Sequence, residues 1–201
     1  MISLEDGIMA VKAARAAADA ETSGMEPNVQ IPAGFEKMKT GVFVSINEAK
    51  SGLLRGCIGY PQPPFDLARS LVLSARGVCY DERFPPLKNS QVPKVVFEVT
   101  FLTEPELIEY ETTAELMSKI EIGKDGLIME YGRGNKGLCR NALYLPQVPV
   151  EENWTAEEYL SNICMKAGMQ NDAWKSCALT FKKFQGITFA EKEPNGEIVR
   201  K

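Results

Sequence analysis

The residues of this chain best able to do chemistry are concentrated in one short stretch, LRGCIG at residues 54–59. It combines a guanidinium, Arg55, and a thiol, Cys57, with two glycines, Gly56 and Gly59, whose backbone N–H groups no side chain shields. Bare N–H groups and a guanidinium can together hold an anion. A neighbouring positive charge also lowers the pKa of a thiol, so that more of it exists as the nucleophilic thiolate. We therefore predict Arg55, Gly56 and Gly59 as binding residues and Cys57 as a candidate catalytic nucleophile.

The same hexapeptide also has structural interpretations. A free cysteine in a strand often packs as a small hydrophobic residue. In a regular strand Arg55 and Cys57 would point to the same face, and a buried face does not readily accept an unpaired arginine. The stretch could therefore have a purely structural role in packing, with Arg55 paired to an internal carboxylate and Cys57 inaccessible.

Two further segments carry candidate site residues. DERFPPL, at residues 81–87, contains Asp81 and Arg83. Asp81 could act as a general base, and the pair could equally form a structural ion pair or loop clamp. LPQVPVEENW, at residues 145–154, is expected to be held extended by its two prolines, and its Gln147 offers both a donor and an acceptor. We predict Asp81 as a candidate catalytic residue and Arg83 and Gln147 as binding residues.

Composition restricts the chemistry further. The chain has no histidine, which excludes histidine dyads, histidine-ligated metals and imidazole acid–base steps. A general base must then be a carboxylate, a lysine, a tyrosine or a group of the substrate. The five cysteines are far apart and form no CxxC pair, so we expect reduced thiols and no metal site. No residue pattern indicates a cofactor, which stays unknown.

Charge and hydropathy indicate where the protein acts. The net charge of −4 weighs against non-specific binding of nucleic acid, although it does not exclude a local basic patch. No apolar run approaches the roughly 20 residues of a membrane span, and the start MISLEDGIMA lacks the features of a signal peptide. The sequence therefore predicts a cytoplasmic protein that does not enter the membrane.

The first half of the chain predicts two helices and three strands. Apolar residues recur at helical spacing after the capping residues Ser3 and Asp66, and β-branched residues mark the strands. A turn at residues 50–52 is expected to join the first two strands as a hairpin. The near-continuous apolar character of the third strand predicts a central position in its sheet. The predicted helices span residues 3–20 and 66–78, and the predicted strands span residues 41–47, 53–58 and 95–102.

The second half predicts more strands and two helices, capped by Thr112 and Thr155. Gly132, Gly134 and Gly137 satisfy the GxGxxG spacing, but a strand rather than a helix is expected after them, so we predict a glycine-rich loop and no dinucleotide site. The predicted strands span residues 120–122, 127–131 and 138–145. A helix is predicted at residues 155–168, a closing hairpin at 177–184 and 187–192, and a frayed tail at 193–201. Because helices and strands do not alternate regularly, the pattern predicts an α+β fold with a mostly antiparallel sheet and flanking helices.

The motifs resemble those of the AMMECR family. The hexapeptide stands as the signature of that family, and the order of the other motifs also matches between about residues 40 and 190. The further matching motifs are GVFV at 41–44, D-x-RFPPL at 81–87, LPQVPVE at 145–151 and KAG at 166–168. The helix end before Asp81 and the segment that leads into Gln147 depart from the family pattern.

The resemblance implies a single domain, residues 1–201, of two unequal lobes with a cleft between them and the hexapeptide near their junction. It implies no established catalytic residue, because the activity of the family is unassigned. It also implies a pathway link to Memo-type and radical-SAM proteins. We therefore predict a cytoplasmic enzyme, or enzyme component, that binds an anionic or nucleotide-like small molecule at the hexapeptide. The alternative is a non-catalytic binding module for RNA or a partner protein.

Overall fold

The computed structural model describes residues 2–132, 140–176 and 179–201 of the chain. These residues form two compact units. The first unit is built from both ends of the chain, Met1–Leu102 and Ile187–Lys201, and the second from the intervening segment Thr103–Gly186. In chain order the elements are α1 (Leu4–Ser23), β1 (Val42–Glu48), β2 (Leu54–Tyr60), α2 (Leu67–Gly77), β3 (Val95–Leu102), β4 (Glu106–Leu107), α3 (Thr113–Ser118), β5 (Gly126–Tyr131), β6 (Arg140–Tyr144), α4 (Val148–Glu151), α5 (Ala156–Lys166), α6 (Ala173–Ser176), β7 (Thr180–Phe184), β8 (Gly186–Glu191) and β9 (Ile198–Arg200).

Helix α1 is defined by its caps and by a row of alanines. Ser3 and Asp6 form a reciprocal capping box at its start, and Gly24, at φ 70°, ends it in the left-handed conformation that glycine adopts without strain. The alanines of the buried face let the helix approach the sheet closely, and most of them are fully buried. The predicted helix at residues 3–20 is confirmed and extends one turn further.

The first unit contains a five-stranded sheet with the order β2-β1-β3-β8-β9. β1 pairs antiparallel with both β2 and β3, and β8 pairs antiparallel with β9. β3 lies in the middle of the sheet, which confirms the central position predicted from its apolar sequence. Alternate residues of β1 and β3 are buried, so one face of the sheet forms a core with α1 and α2. The hexapeptide forms β2, at an edge of this sheet.

The second unit contains a four-stranded antiparallel sheet with the order β4-β7-β5-β6. Its core includes buried residues of β5, β7 and α5, among them Met129, Phe181 and Tyr159. Thr155 and Glu158 form the capping box of α5 that the sequence predicts, and Thr112 caps α3. The antiparallel sheets and flanking helices confirm the predicted α+β class.

The hairpin predicted at residues 177–184 and 187–192 is wrong. β7 pairs with β4 and β5 in the second unit, whereas β8 joins the sheet of the first unit. The short connection at Gln185 therefore does not fold one strand back on the other. Instead, the Gln185 carbonyl accepts a hydrogen bond from the Thr103 N–H at 2.8 Å, so the two ends of the second unit lie side by side.

Three other local predictions differ from the structure. Residues 120–122 do not form a strand; they lead into a turn at residues 122–124, where the Lys124 N–H donates to the Glu121 carbonyl. The proline-containing segment at 145–154, expected to be extended, includes the short helix α4, because proline is well accommodated in a first helical turn. The tail expected to fray forms β9, whose Ile198 is buried beside β8.

Among the residues that the structure describes, no helix has the length and apolar character needed to cross a membrane.

Candidate functional site

The hexapeptide strand β2 is tightly packed at both of its glycines. A Cβ atom on Gly56 would lie 2.9 Å from the Val78 carbonyl oxygen. A Cβ on Gly59 would lie 2.4 Å from both the Phe43 ring and the Val42 carbonyl oxygen. Both glycines are therefore required for close packing. This packing role is separate from the anion-binding role predicted for them, and the two roles are compatible.

Arg55 lies at a β-bulge in the strand. Ile46 of β1 is opposite Gly56, but the next residue, Asn47, is opposite Leu54, so Arg55 has no direct partner on β1. A bulge redirects the side chain of the extra residue. The expectation that Arg55 and Cys57 share a face assumed a regular strand, and that condition does not hold here.

The Arg55 side chain is oriented by the loop that follows α2. Its Nη2 donates a hydrogen bond of 2.5 Å to the Pro85 carbonyl oxygen, and its guanidinium carbon lies 5.9 Å from the centre of the Phe84 ring. A guanidinium has five N–H donors, so one carbonyl leaves most of them available. Arg55 is thus held in place without being neutralised.

Cys57 is half-buried and lies opposite Ser45 of β1. Burial raises the pKa of the Cys57 thiol, and the hydrogen bond with the Ser45 side chain and the positive charge of Arg83 offset only part of that increase. The nearby carboxylates of Asp81 and Glu98 raise the pKa further. The environment therefore favours the neutral thiol over the nucleophilic thiolate at neutral pH.

Asp81 and Arg83 clamp the backbone of Cys57 at the open edge of the sheet. The Cys57 N–H donates to Asp81 Oδ2 at 2.8 Å, and Arg83 Nη2 donates to the Cys57 carbonyl at 3.3 Å. Arg83 also binds both carboxylate oxygens of Asp81, through Nε at 3.0 Å and Nη2 at 2.7 Å. The two side chains thus occupy the hydrogen-bonding groups of Cys57 that a further strand would otherwise use.

This clamp makes Asp81 a weak base. The Arg83 guanidinium, assisted by the backbone N–H groups of Cys57 and Arg83, holds the pKa of the Asp81 carboxyl well below its usual range, despite the opposing effect of burial. A carboxylate with a low pKa accepts a proton poorly. The geometry supports the loop-clamp interpretation of Asp81 and Arg83 more strongly than the general-base interpretation.

A groove of about 430 Å³ lies beside Arg55 in the first unit. Three cations, Lys50, Arg55 and Lys94, and one carboxylate, Glu48, line it. Within the described residues, none of these cations forms an ion pair with a carboxylate. We call this cavity the Arg55 groove; Cys57 is not among the residues that line it.

Lys50 and Lys94 line this groove, and neither was predicted as a site residue from the sequence. They are 44 positions apart in the sequence, and the antiparallel pairing of β1 with β3 brings their segments together. The Ala49 N–H donates to the Lys94 carbonyl at 3.0 Å, which fixes the turn that carries Lys50 against the start of β3. No local motif signals this arrangement, because each lysine alone looks like an ordinary surface residue.

Gln147 belongs to the second unit, whereas the other predicted site residues lie in the first. It precedes α4 and its side chain is exposed, so no buried partner for the amide is required. Its role in binding stays a prediction.

Four residues named in the sequence predictions lie outside the described part of the chain: Gly134, Gly137, Cys139 and Cys177. The strands on either side of the glycine-rich segment are described: β5 ends at Tyr131, and β6, not a helix, begins at Arg140. Within the residues that the structure covers, no group of three histidine, cysteine or acidic side chains is arranged to hold a metal ion.

Comparison with known proteins places the chain in a family. The AMMECR1 family model matches residues 10–189. A protein of Thermofilum pendens is 39% identical, with the match covering 100% of this chain and 96% of that protein. A protein of Methanocaldococcus jannaschii is 38% identical, covering 100% and 98%. The crystal structure of an uncharacterised protein from Pyrococcus horikoshii superposes with a TM-score of 0.79 at 39% identity and covers 100% of this chain and 98% of that one. This chain therefore belongs to the AMMECR1 family.

Proposed function

We propose that the protein binds an anionic small molecule in the Arg55 groove and acts as a small-molecule-binding enzyme or enzyme component. The observation that carries the proposal is the set of three cations, Lys50, Arg55 and Lys94, which line one cavity without a carboxylate partner among the described residues. Like charges in one cavity repel one another, and a bound anion relieves that repulsion.

The local charge of the groove is opposite in sign to that of the whole chain. The chain carries a net charge of −4, whereas the three cations and the single carboxylate Glu48 make the groove positive. Glu48 also accepts a hydrogen bond from the Ser51 hydroxyl at 3.0 Å, so one of its oxygens is already engaged. A positive cavity in an acidic protein favours a small anion over a polyanion, because the surrounding surface repels an extended negative charge.

Arg55 supplies the geometric specificity of the proposed site. A guanidinium binds carboxylates and phosphates through two parallel hydrogen bonds, whereas lysines act as point charges. The hydrogen bond to the Pro85 carbonyl fixes the side chain before the ligand arrives. A binding group that is already ordered loses less conformational entropy on binding. The cavity volume of about 430 Å³ is in the range of small-molecule sites.

The catalytic roles predicted for Cys57 and Asp81 remain secondary to this binding role. The pKa of the Cys57 thiol is raised and the pKa of the Asp81 carboxyl is lowered, so neither group is tuned for nucleophilic or base catalysis in the unliganded protein. We retain the cytoplasm as the proposed compartment, since the free thiols of Cys57 and Cys79 are suited to reducing conditions.

Titration calorimetry with pyrophosphate, in the absence of divalent metals, tests the proposal. We expect saturable binding to the wild type that weakens as salt rises, because screening reduces the attraction between exposed charges. Arg55→Ala removes the guanidinium. A net loss equivalent to one charged hydrogen bond, about 1.5–3 kcal/mol, would make the Kd about tenfold to 150-fold higher.

Arg200→Ala serves as the matched control, because Arg200 is exposed on β9 and does not line the Arg55 groove. It should leave the Kd within about twofold of the wild type. Equal losses in the two variants, or no binding to the wild type, would refute the proposed site.

A further inference from the structure

A second groove lies next to the Arg55 groove in the same unit. Its volume is about 550 Å³, and its lining includes Lys12, Ala16 and Asp19, which follow one another along the exposed side of α1. The turn between β8 and β9 also lines the groove, through Asn195. We call this cavity the α1 groove.

The two grooves share a boundary. Pro93 lines both of them. The consecutive residues Pro194 and Asn195 line one groove each, Pro194 the Arg55 groove and Asn195 the α1 groove. A molecule that extends past the two prolines would therefore contact both cavities.

The α1 groove is balanced in charge, unlike its neighbour. Its lining includes the buried pair of Arg15 and Glu191, in which Arg15 Nε donates to Glu191 Oε1 at 2.6 Å. Arg15 also donates to the carbonyls of Val92 and Val95, and Glu191 accepts from the Phe97 N–H. The remaining charges, Lys12 and Asp19, are opposite in sign.

The upper part of the α1 groove is polar and accessible. Asn195 is exposed, and its side-chain amide can both donate and accept hydrogen bonds. Ala16 is also exposed, and its small side chain leaves space above the helix. Apolar residues, Val92, Pro93 and Ile198, also line the groove. This mixed lining suits an uncharged group with both apolar and polar parts rather than a second anion.

We propose that the natural ligand is a phosphorylated metabolite of nucleotide size, with its phosphate in the Arg55 groove and its uncharged polar body in the α1 groove. This inference rests on the proposed function, because it takes the anion site at Arg55 as given. The inference adds an uncharged polar body to the proposed anionic ligand. The α1 groove would then select ligands that carry such a body.

Comparing ADP with pyrophosphate isolates the contribution of the α1 groove, because ADP carries a diphosphate together with an adenosine group. Calorimetry without divalent metals should show ADP binding about tenfold or more tightly than pyrophosphate, with both losing affinity in Arg55→Ala. Ala16→Trp should fill the α1 groove and remove the advantage of ADP while leaving the Kd for pyrophosphate unchanged.

Two further variants control for indirect effects. Ala114→Trp places the same side chain at an exposed alanine of α3 that lines neither groove, and it should preserve the advantage of ADP. Asn195→Gly removes the amide at a position with φ of 59°, where glycine is unstrained, and it should weaken ADP binding selectively.

The outcomes separate the two proposals. If pyrophosphate binds in an Arg55-dependent way and ADP binds no more tightly, the anion site stands and the two-part ligand is refuted. If ADP keeps its advantage in Ala16→Trp, the α1 groove does not hold the adenosine group and the inference fails. If neither compound binds to the wild type, both proposals fail together.

Discussion

At the scale of single residues, the signature hexapeptide combines one available charge with one protected thiol. Arg55 lies at a bulge, lines a groove and keeps most of its N–H donors, whereas Cys57 is half-buried and its backbone is bound by the Asp81–Arg83 clamp. The sequence predicted these residues as candidates but could not separate their roles. The difference depends on the bulge and on a loop about 25 residues away, and neither is visible in a six-residue pattern.

The reactivity of Cys57 provides a test at this scale. Because burial raises the pKa of its thiol, we expect iodoacetamide to modify Cys57 slowly at pH 7 and faster as the pH approaches and passes about 9, where the thiolate fraction grows. Cys57 should still react before Cys79, which is buried and has a pKa raised to about 12. Peptide mapping by mass spectrometry over a pH series measures both rates.

The assignment of the Cys57 peptide is checked with Cys57→Ser, which should lose the signal of that peptide alone. Modification of Cys57 at pH 7 as fast as a small free thiol would contradict the protected environment and would revive the nucleophile hypothesis.

At the scale of elements, local signals predicted helices well and strand partners less well. The caps at Ser3, Asp66 and Thr155 lie next to the helices that they start, so α1, α2 and α5 could be located from sequence. The partners of β7 and β8 could not be predicted, because the partner of a strand is determined by packing against residues distant in sequence. The same limitation applies to β9, which looks like a polar tail until β8 is placed beside it.

The packing of β2 leads to a prediction about its glycines. Gly59→Ala should destabilise the protein by about 1–3 kcal/mol through overpacking, because the new Cβ would meet the Phe43 ring and the Val42 carbonyl oxygen at 2.4 Å. Gly56→Ala should cost less, since its closest contact is 2.9 Å. Urea unfolding followed by circular dichroism measures the change in the free energy of unfolding.

Gly77→Ala is the matched comparison for both glycine variants. Its Cβ would meet only the Ile58 side chain, at 3.2 Å, and alanine favours the helix α2 in which it lies. We expect a change of less than about 0.5 kcal/mol. If Gly59→Ala proved as harmless, close packing would not explain the glycine.

At the scale of the whole molecule, the family and fold class were predictable, while the positive groove was not. Collinear motifs indicated the family, and the order of helices and strands indicated the α+β class. The groove combines Lys50, Arg55, Lys94 and Pro194 from the two ends of the chain, which meet only in the folded first unit. Net charge gave no indication of it, because a sum over 201 residues hides a local concentration of one sign.

The buried ion pair of Arg15 and Glu191 connects those two ends, so its loss should destabilise the whole first unit. Arg15→Met leaves Glu191 buried without its cation, so we expect a loss of about 3–5 kcal/mol in the free energy of unfolding. Arg15→Met combined with Glu191→Leu should recover much of that loss, because the uncompensated charge is then absent. Urea unfolding of the two variants provides the comparison.

An exposed pair, Lys192 and Glu197, offers the control: Lys192→Met should change stability by less than about 1 kcal/mol. A double variant as unstable as Arg15→Met would show that the buried charge is not the cause of the destabilisation.

The division of the first unit between the two ends of the chain has a consequence for synthesis on the ribosome. The second unit is one continuous segment, so it can finish folding while β8 and β9 have yet to emerge. Until then β3, the apolar middle strand of the finished sheet, is an exposed edge in the nascent protein. Residues 187–201 cover it, and until they emerge β3 is most exposed to wrong association with other chains.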